Sequence, residues 1–129
     1  FVEGREGDLV SLYRTEIATI RRFGGTPILF QATRTHGLEP AAKAALYAEV
    51  CRDVPAVIGF ELGKMFAPNG EIWDDETFVR LLEIPTLIGA KHSSLSKLVE
   101  LRRLELRDRH RPDFRVYTGN DLGINMVEY

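Results

Sequence analysis

Thr86-Leu-Ile-Gly-Ala-Lys-His-Ser-Ser94 is the stretch on which the reading of this chain turns. Residues 86–90 form an apolar run too short for a helix, and the run ends at a lysine. A strand apolar on both faces belongs in a buried parallel sheet. The flanks agree. Upstream, Asp74-Asp-Glu76 puts acidic residues at the positive end of a predicted helix whose apolar face is Phe78, Leu81 and Leu82. Downstream, Ser93 or Ser94 is the expected cap of a helix with the stripe Leu95, Leu98, Leu101 and Leu104, broken at His110-Arg-Pro112.

The same unit recurs outward in both directions. Thr26-Pro-Ile-Leu-Phe-Gln31, Ala56-Val-Ile-Gly-Phe60 and Phe114-Arg-Val-Tyr-Thr118 are three more short apolar strands. A helix capped by Asp8 and stopped by Gly24-Gly25 precedes the first of them, and an alanine-rich helix from Glu39-Pro40 to about Arg52 precedes the second. The order α-β-α-β-α-β-α-β implies an α/β fold with a parallel sheet and right-handed crossovers. Two architectures share that signature, the doubly wound sheet and the (β/α)8 TIM barrel. No Gly-x-Gly-x-x-Gly follows a strand, which removes the main support for a dinucleotide-binding sheet. A barrel needs about 250 residues, so 129 residues with four strands make roughly half of one. An isolated half would leave two strand edges and one sheet face open. The chain also starts at Phe1 without Met. Residues 1–129 are therefore expected to be one partial barrel domain from a longer protein.

Composition narrows the function. With 44% hydrophobic and 28% charged residues the chain is expected to fold rather than stay disordered. Seventeen basic residues against 19 acidic give a net charge of −2, which provides no broad positive field for nucleic acid or anionic lipid. Apolar runs of a few residues fall far short of the ~20 that span a bilayer, so no membrane partner is expected. The single cysteine, Cys51, cannot form an internal bridge and reads as a core residue of a reduced, cytoplasmic protein. A small-molecule substrate remains.

In parallel α/β folds the ligand site lies beyond the C-terminal strand ends. The residues there are 31–34, 60–63, 91–94 and 118–121. Of four lysines, at 43, 64, 91 and 97, only Lys91 ends an apolar strand. A lysine partly desolvated there has a lowered pKa and a lone pair free to attack a carbonyl, which is Schiff-base chemistry. The competing reading makes Lys91 a structural cation paired with Glu61 or Asp121. Glu61 also reads as an acid/base partner of Lys91, Arg34 as a fork for a substrate carboxylate, and Asn120 and Asp121 as lining of the mouth or parts of a turn. His36 and His92 have no second ligand at a recognised spacing, and no metal is expected. The Arg102-Arg103 to Arg111 cluster interleaves with Glu100, Glu105 and Asp108 and reads as ion pairs on a solvated helix face.

Ile88-Gly-Ala-Lys-His-Ser-Ser94, followed at the next strand end by Val116-Tyr-Thr-Gly-Asn-Asp121, resembles the dihydrodipicolinate synthase / N-acetylneuraminate lyase family. The resemblance implies a (β/α)8 barrel, usually tetrameric, of which this chain covers about strand three or helix three to strand seven. It implies a class I aldolase or lyase in which Lys91 forms an imine with pyruvate or a related 2-keto acid, without metal or cofactor. Catalytic Lys91 and Glu61 are then expected to be joined by Thr33, Arg34, Ser93, Gly119, Asn120 and Asp121 as substrate-binding residues. The chain departs from the family where strand five typically ends in Tyr-Asn-x-Pro; here Gly59-Phe-Glu-Leu-Gly63 has no tyrosine. The end of strand four reads Gln31-Ala-Thr-Arg-Thr35 where many members carry Pro-Tyr-Tyr. A non-catalytic barrel relative that binds a ligand or serves in assembly is the alternative.

Overall fold

The computed structural model describes residues 1–120, so Asp121 lies outside the described residues. The elements are α1 (Leu9–Arg22), β1 (Ile28–Leu29), a 3₁₀ turn (Thr33–Thr35), α2 (Pro40–Cys51), β2 (Val57–Leu62), α3 (Asp75–Leu82), β3 (Leu87–Ser93), α4 (Lys97–His110) and β4 (Arg115–Thr118). The four strands form one parallel sheet in the order β1-β2-β3-β4. Right-handed crossovers in a sequential sheet place every connecting helix on the same face, and α1 packs on α2, α2 on α3 and α3 on α4. This is α/β architecture wound in one direction.

Each helix starts where its sequence dictates. Asp8 accepts from the Ser11 amide and Asp74 from the Thr77 amide, both as N-caps. For α4 the cap is Ser96, which accepts from the Val99 amide; Ser93 belongs to β3 and Ser94 to the turn after it. That corrects the expected cap. The Leu stripe of α4 also fails. Leu98 is 79% exposed, while Glu100 and Arg103 are buried beside Leu104 and Leu106. The first turns of α4 lie over the polar ends of the strands, where inward positions need hydrogen-bonding side chains.

β1 is shorter than its apolar run. Beyond Leu29 its carbonyls are taken by side chains: the Tyr13 hydroxyl donates to the Phe30 carbonyl (2.6 Å) and Asn69 Nδ2 to the Gln31 carbonyl (2.5 Å), while the Gln31 side chain reaches across, its Oε1 accepting from the amides of Leu62 (3.3 Å) and Glu71 (2.8 Å). β2 and β3 run past their expected ends. Their pairing is interrupted once, because Val57 faces Leu87 and the next pair is Ile58 with Gly89. Ile88 is thus one extra residue, a β-bulge. Leu87 and Ala90, three apart, both enter the core under the helices, as do Val57, Phe78, Leu81 and Phe114.

Among the described residues the opposite face carries no helix. Ile28, Phe30, Ile58, Phe60, Lys91 and Tyr117 fall on it by alternation and register. Across it Phe1, Phe30 and Phe60 form an aromatic row with centroid spacings of 5.1 and 5.2 Å. Cys51 is core, and burial pushes its thiol up to about 12. No helix among the described residues is long and apolar enough to cross a membrane.

At the opposite end of the strands Arg111 closes the α3–β3 connection by donating to the carbonyls of Leu82, Ile84, Pro85 and Leu87 at 2.8–3.2 Å. Arg111→Ala is expected to cost about 1.5–3 kcal/mol, the scale of hydrogen bonds to a charged group. A urea midpoint unchanged from the parent would contradict it.

Candidate functional site

Lys91 stands near the C-terminal end of β3 on the helix-free face, half-buried, with Nζ 4.9 Å from the centre of the Phe60 ring. Phe60 is its register partner on β2, and Tyr117 its partner on β4. Among the described residues no carboxylate lies within ion-pair distance of Lys91. Two positions above it on the same strand face is Ser93, 4% exposed, with no hydrogen bond from its hydroxyl to any described residue. Gly119 covers both. A Cβ at Gly119 would sit 1.9 Å from Ser93 Oγ, 2.9 Å from Lys91 Cε and 3.0 Å from the His92 carbonyl, so only glycine fits. Its amide donates to that carbonyl at 2.7 Å. Lys91, Ser93 and Gly119 therefore meet at one point.

Glu61 is not brought to Lys91. It pairs in register with His92 and faces the helix layer, on the far side of the sheet from the lysine. There it accepts from His92 Nδ1 (2.6 Å), the Trp73 amide (2.9 Å) and Arg103 Nη2 (2.8 Å) and Nε. Arg103, 2% exposed, also donates to the Trp73 carbonyl and pairs with Asp75 at 3.0 Å. Burial pushes the Glu61 carboxyl up, but the hydrogen bonds and charges of His92 and Arg103 outweigh burial and hold it below its ordinary value. Glu61 is a buried structural carboxylate, which corrects both its expected acid/base role and its expected pairing with Lys91.

The network continues through His92 Nε2 to Ser94 Oγ (2.6 Å), which also accepts from the Ser96 amide at the start of α4. Asn120 completes it. Its Oδ1 accepts from the amides of Ser94 (3.0 Å) and Leu95 (2.7 Å), and its Nδ2 donates to the buried Glu100 (2.7 Å). That clamp holds Leu95 at a φ of 59°, a left-handed conformation costing a leucine about 1–2 kcal/mol. With both ends of its amide engaged, Asn120 positions the mouth rather than facing a ligand.

Thr33 and Arg34 lie in the 3₁₀ turn after β1. The amide and hydroxyl of Thr33 donate to Glu3 (2.8 and 2.7 Å), and Arg34 is exposed. Neither contacts the cluster at Lys91. The basic stretch of α4 behaves as expected at Arg102, Arg107 and Arg109, which pair with Asp75, Glu105 and Asp108. Arg103 and Glu100 are the exceptions, buried among polar partners that no helical spacing announces. Comparison of the chain with known protein families, curated proteins and solved structures gives no match.

Proposed function

We propose that this chain is part of a (β/α)8 barrel of the dihydrodipicolinate synthase / N-acetylneuraminate lyase type, a class I aldolase or lyase in which Lys91 forms an imine with pyruvate or a related 2-keto acid. The observation that carries the reading is a primary amine near the end of a parallel strand, on the helix-free face, with no carboxylate against it among the described residues. The sequential, one-sided winding supports closure into a barrel over the doubly wound alternative, which has helices on both faces.

The chemistry needs no metal or cofactor. The neutral amine of Lys91 attacks the keto carbon, and loss of water with uptake of one proton leaves an iminium whose positive nitrogen draws electrons from the adjacent carbon. That carbon then loses a proton or releases a carbon–carbon bond as an enamine. The aromatic face of Phe60 stabilises the cationic states of the nitrogen by about 0.5–1 kcal/mol.

The test is borohydride reduction of the intact protein with pyruvate and a panel of 2-keto acids, read by peptide mass spectrometry. A stable adduct on the peptide carrying Lys91 is expected; a folded protein that traps none of them overturns the reading. In that outcome the protein is a non-catalytic ligand-binding relative. That second reading is favoured by Phe60, a side chain unable to move a proton, in the β2 position paired with Lys91.

Gly119→Ala is expected to displace Ser93 and Lys91, because the added methyl overlaps Ser93 Oγ and presses on the His92 carbonyl. About 1–3 kcal/mol of stability should be lost to overpacking, together with most of the trapped adduct. Adduct formation at the parent rate would show that the glycine is not needed.

A further inference from the structure

Making an imine requires two proton movements at the lysine, off the attacking nitrogen and onto the departing oxygen, and Glu61, the carboxylate at the end of the neighbouring strand, is on the wrong face of the sheet. We propose that the Ser93 hydroxyl is the proton shuttle for Lys91; the inference rests on the Schiff-base reading and adds to it the group that moves the protons.

Three observations converge on Ser93. It lies two residues beyond Lys91 on one strand, so both side chains leave the same face. Its hydroxyl makes no hydrogen bond to a described residue, whereas the neighbouring Ser94 is committed to His92 and Ser96. Ser93 Oγ and Lys91 Cε also flank the same missing Cβ of Gly119, at 1.9 and 2.9 Å. Glu61, His92, Asn120 and Glu100 are engaged with one another or in the layer behind.

The step balances without a co-reactant. The nitrogen lone pair forms the C–N bond as the carbonyl π pair moves to oxygen. Ser93 Oγ accepts the proton released by nitrogen while its own proton passes to that oxygen, giving the neutral carbinolamine. A second passage carries the remaining nitrogen proton through the serine to the hydroxyl, which leaves as water while the C=N bond closes; the neutral imine so formed takes up one proton from water to become the iminium. The serine is unchanged at the end. A hydroxyl suits this because it donates and accepts in one concerted motion, although it is too weak an acid to ionise.

The test measures the rate of pyruvate trapping by cyanoborohydride in the intact parent protein and in Ser93→Ala, Ser93→Thr and Tyr117→Phe. Ser93→Ala is expected to slow adduct formation about 10²-fold or more, the usual scale of a positioned proton-transfer group, with the adduct still on Lys91. Ser93→Thr should restore most of the rate. Small buffer acids should rescue Ser93→Ala in proportion to their concentration, which a merely structural loss would not show. Trapping by Ser93→Ala at the parent rate, or a slow variant that neither threonine nor buffer rescues, overturns the proposal. So does a loss confined to Tyr117→Phe, which would move the role to the phenol on β4. Absence of any adduct in the parent protein would fell the Schiff-base reading itself, a result distinct from the others.

Discussion

Replacing Lys91 with methionine should abolish imine trapping and reduce turnover of a 2-keto acid substrate by roughly 10⁴-fold or more, the scale seen when a covalent nucleophile is removed. Stability should change little. Methionine keeps the length of the stem over Phe60 and loses only the cation–π contact, about 0.5–1 kcal/mol. Lys91→Arg sharpens the comparison because it keeps the charge and removes the nucleophile. If Lys91 were a structural cation, arginine would serve and methionine would destabilise the fold. The measurements are adduct yield and urea unfolding of the same samples, and retained turnover in Lys91→Arg would defeat the nucleophile.

The second large effect is on stability and arises behind the sheet. Glu61→Ala leaves Arg103 and His92 buried without their carboxylate and the Trp73 amide without its acceptor. Removing one partner of a buried ion pair costs about 3–5 kcal/mol, a large share of the ~5–15 kcal/mol typical of a whole domain. Urea unfolding monitored through Trp73 should show the loss, and a difference below about 1 kcal/mol would mean that the network is not held together by Glu61. The folded pKa of Glu61 lies below its unfolded one, so the folded state keeps this carboxyl ionised where the unfolded chain protonates it. Its contribution is therefore complete above the unfolded value and lost as pH falls through the lower, folded one. The parent should weaken on acidification below about pH 4.5, and Glu61→Ala should lose this part of the dependence.

The alternation of apolar runs and helical stripes was legible in the sequence because burial imposes its periods residue by residue. Asp8 and Asp74 announced their helices, and Lys91 stood out as the lysine ending an apolar run. What the sequence hides depends on partners. Glu61 and Lys91 occupy neighbouring strand ends in any parallel reading, yet whether they share a face is settled by strand register, which no single strand encodes. Glu100 and Arg103 look like solvated charges in a basic helix until Asn120 and Glu61 are found beneath them. Gly119 reads as a turn glycine, and only the approach of Ser93 and Lys91 shows that it is there for space. A search for buried charges would have needed pairs of opposite sign on strand and helix, a pattern too common on surfaces to select the right one.

The extra residue at Ile88 sets the phase of everything after it in β3. Strict alternation from Leu87, which is fixed in the core, would send position 91 under the helices and position 92 to the other side. The bulge inverts that phase, so the amine emerges on the helix-free face and the imidazole meets Glu61. The bulged course of the backbone between Leu87 and Ala90 is consequently what fixes which side each later residue takes. Deleting Ile88 would leave Leu87 and Gly89 as consecutive partners of Val57 and Ile58 and keep that phase, whereas flattening the bulge with every residue retained exchanges the reactive side of the strand for its structural side. Such a frameshift in space would cost the protein both its candidate nucleophile and the charge network that braces the fold.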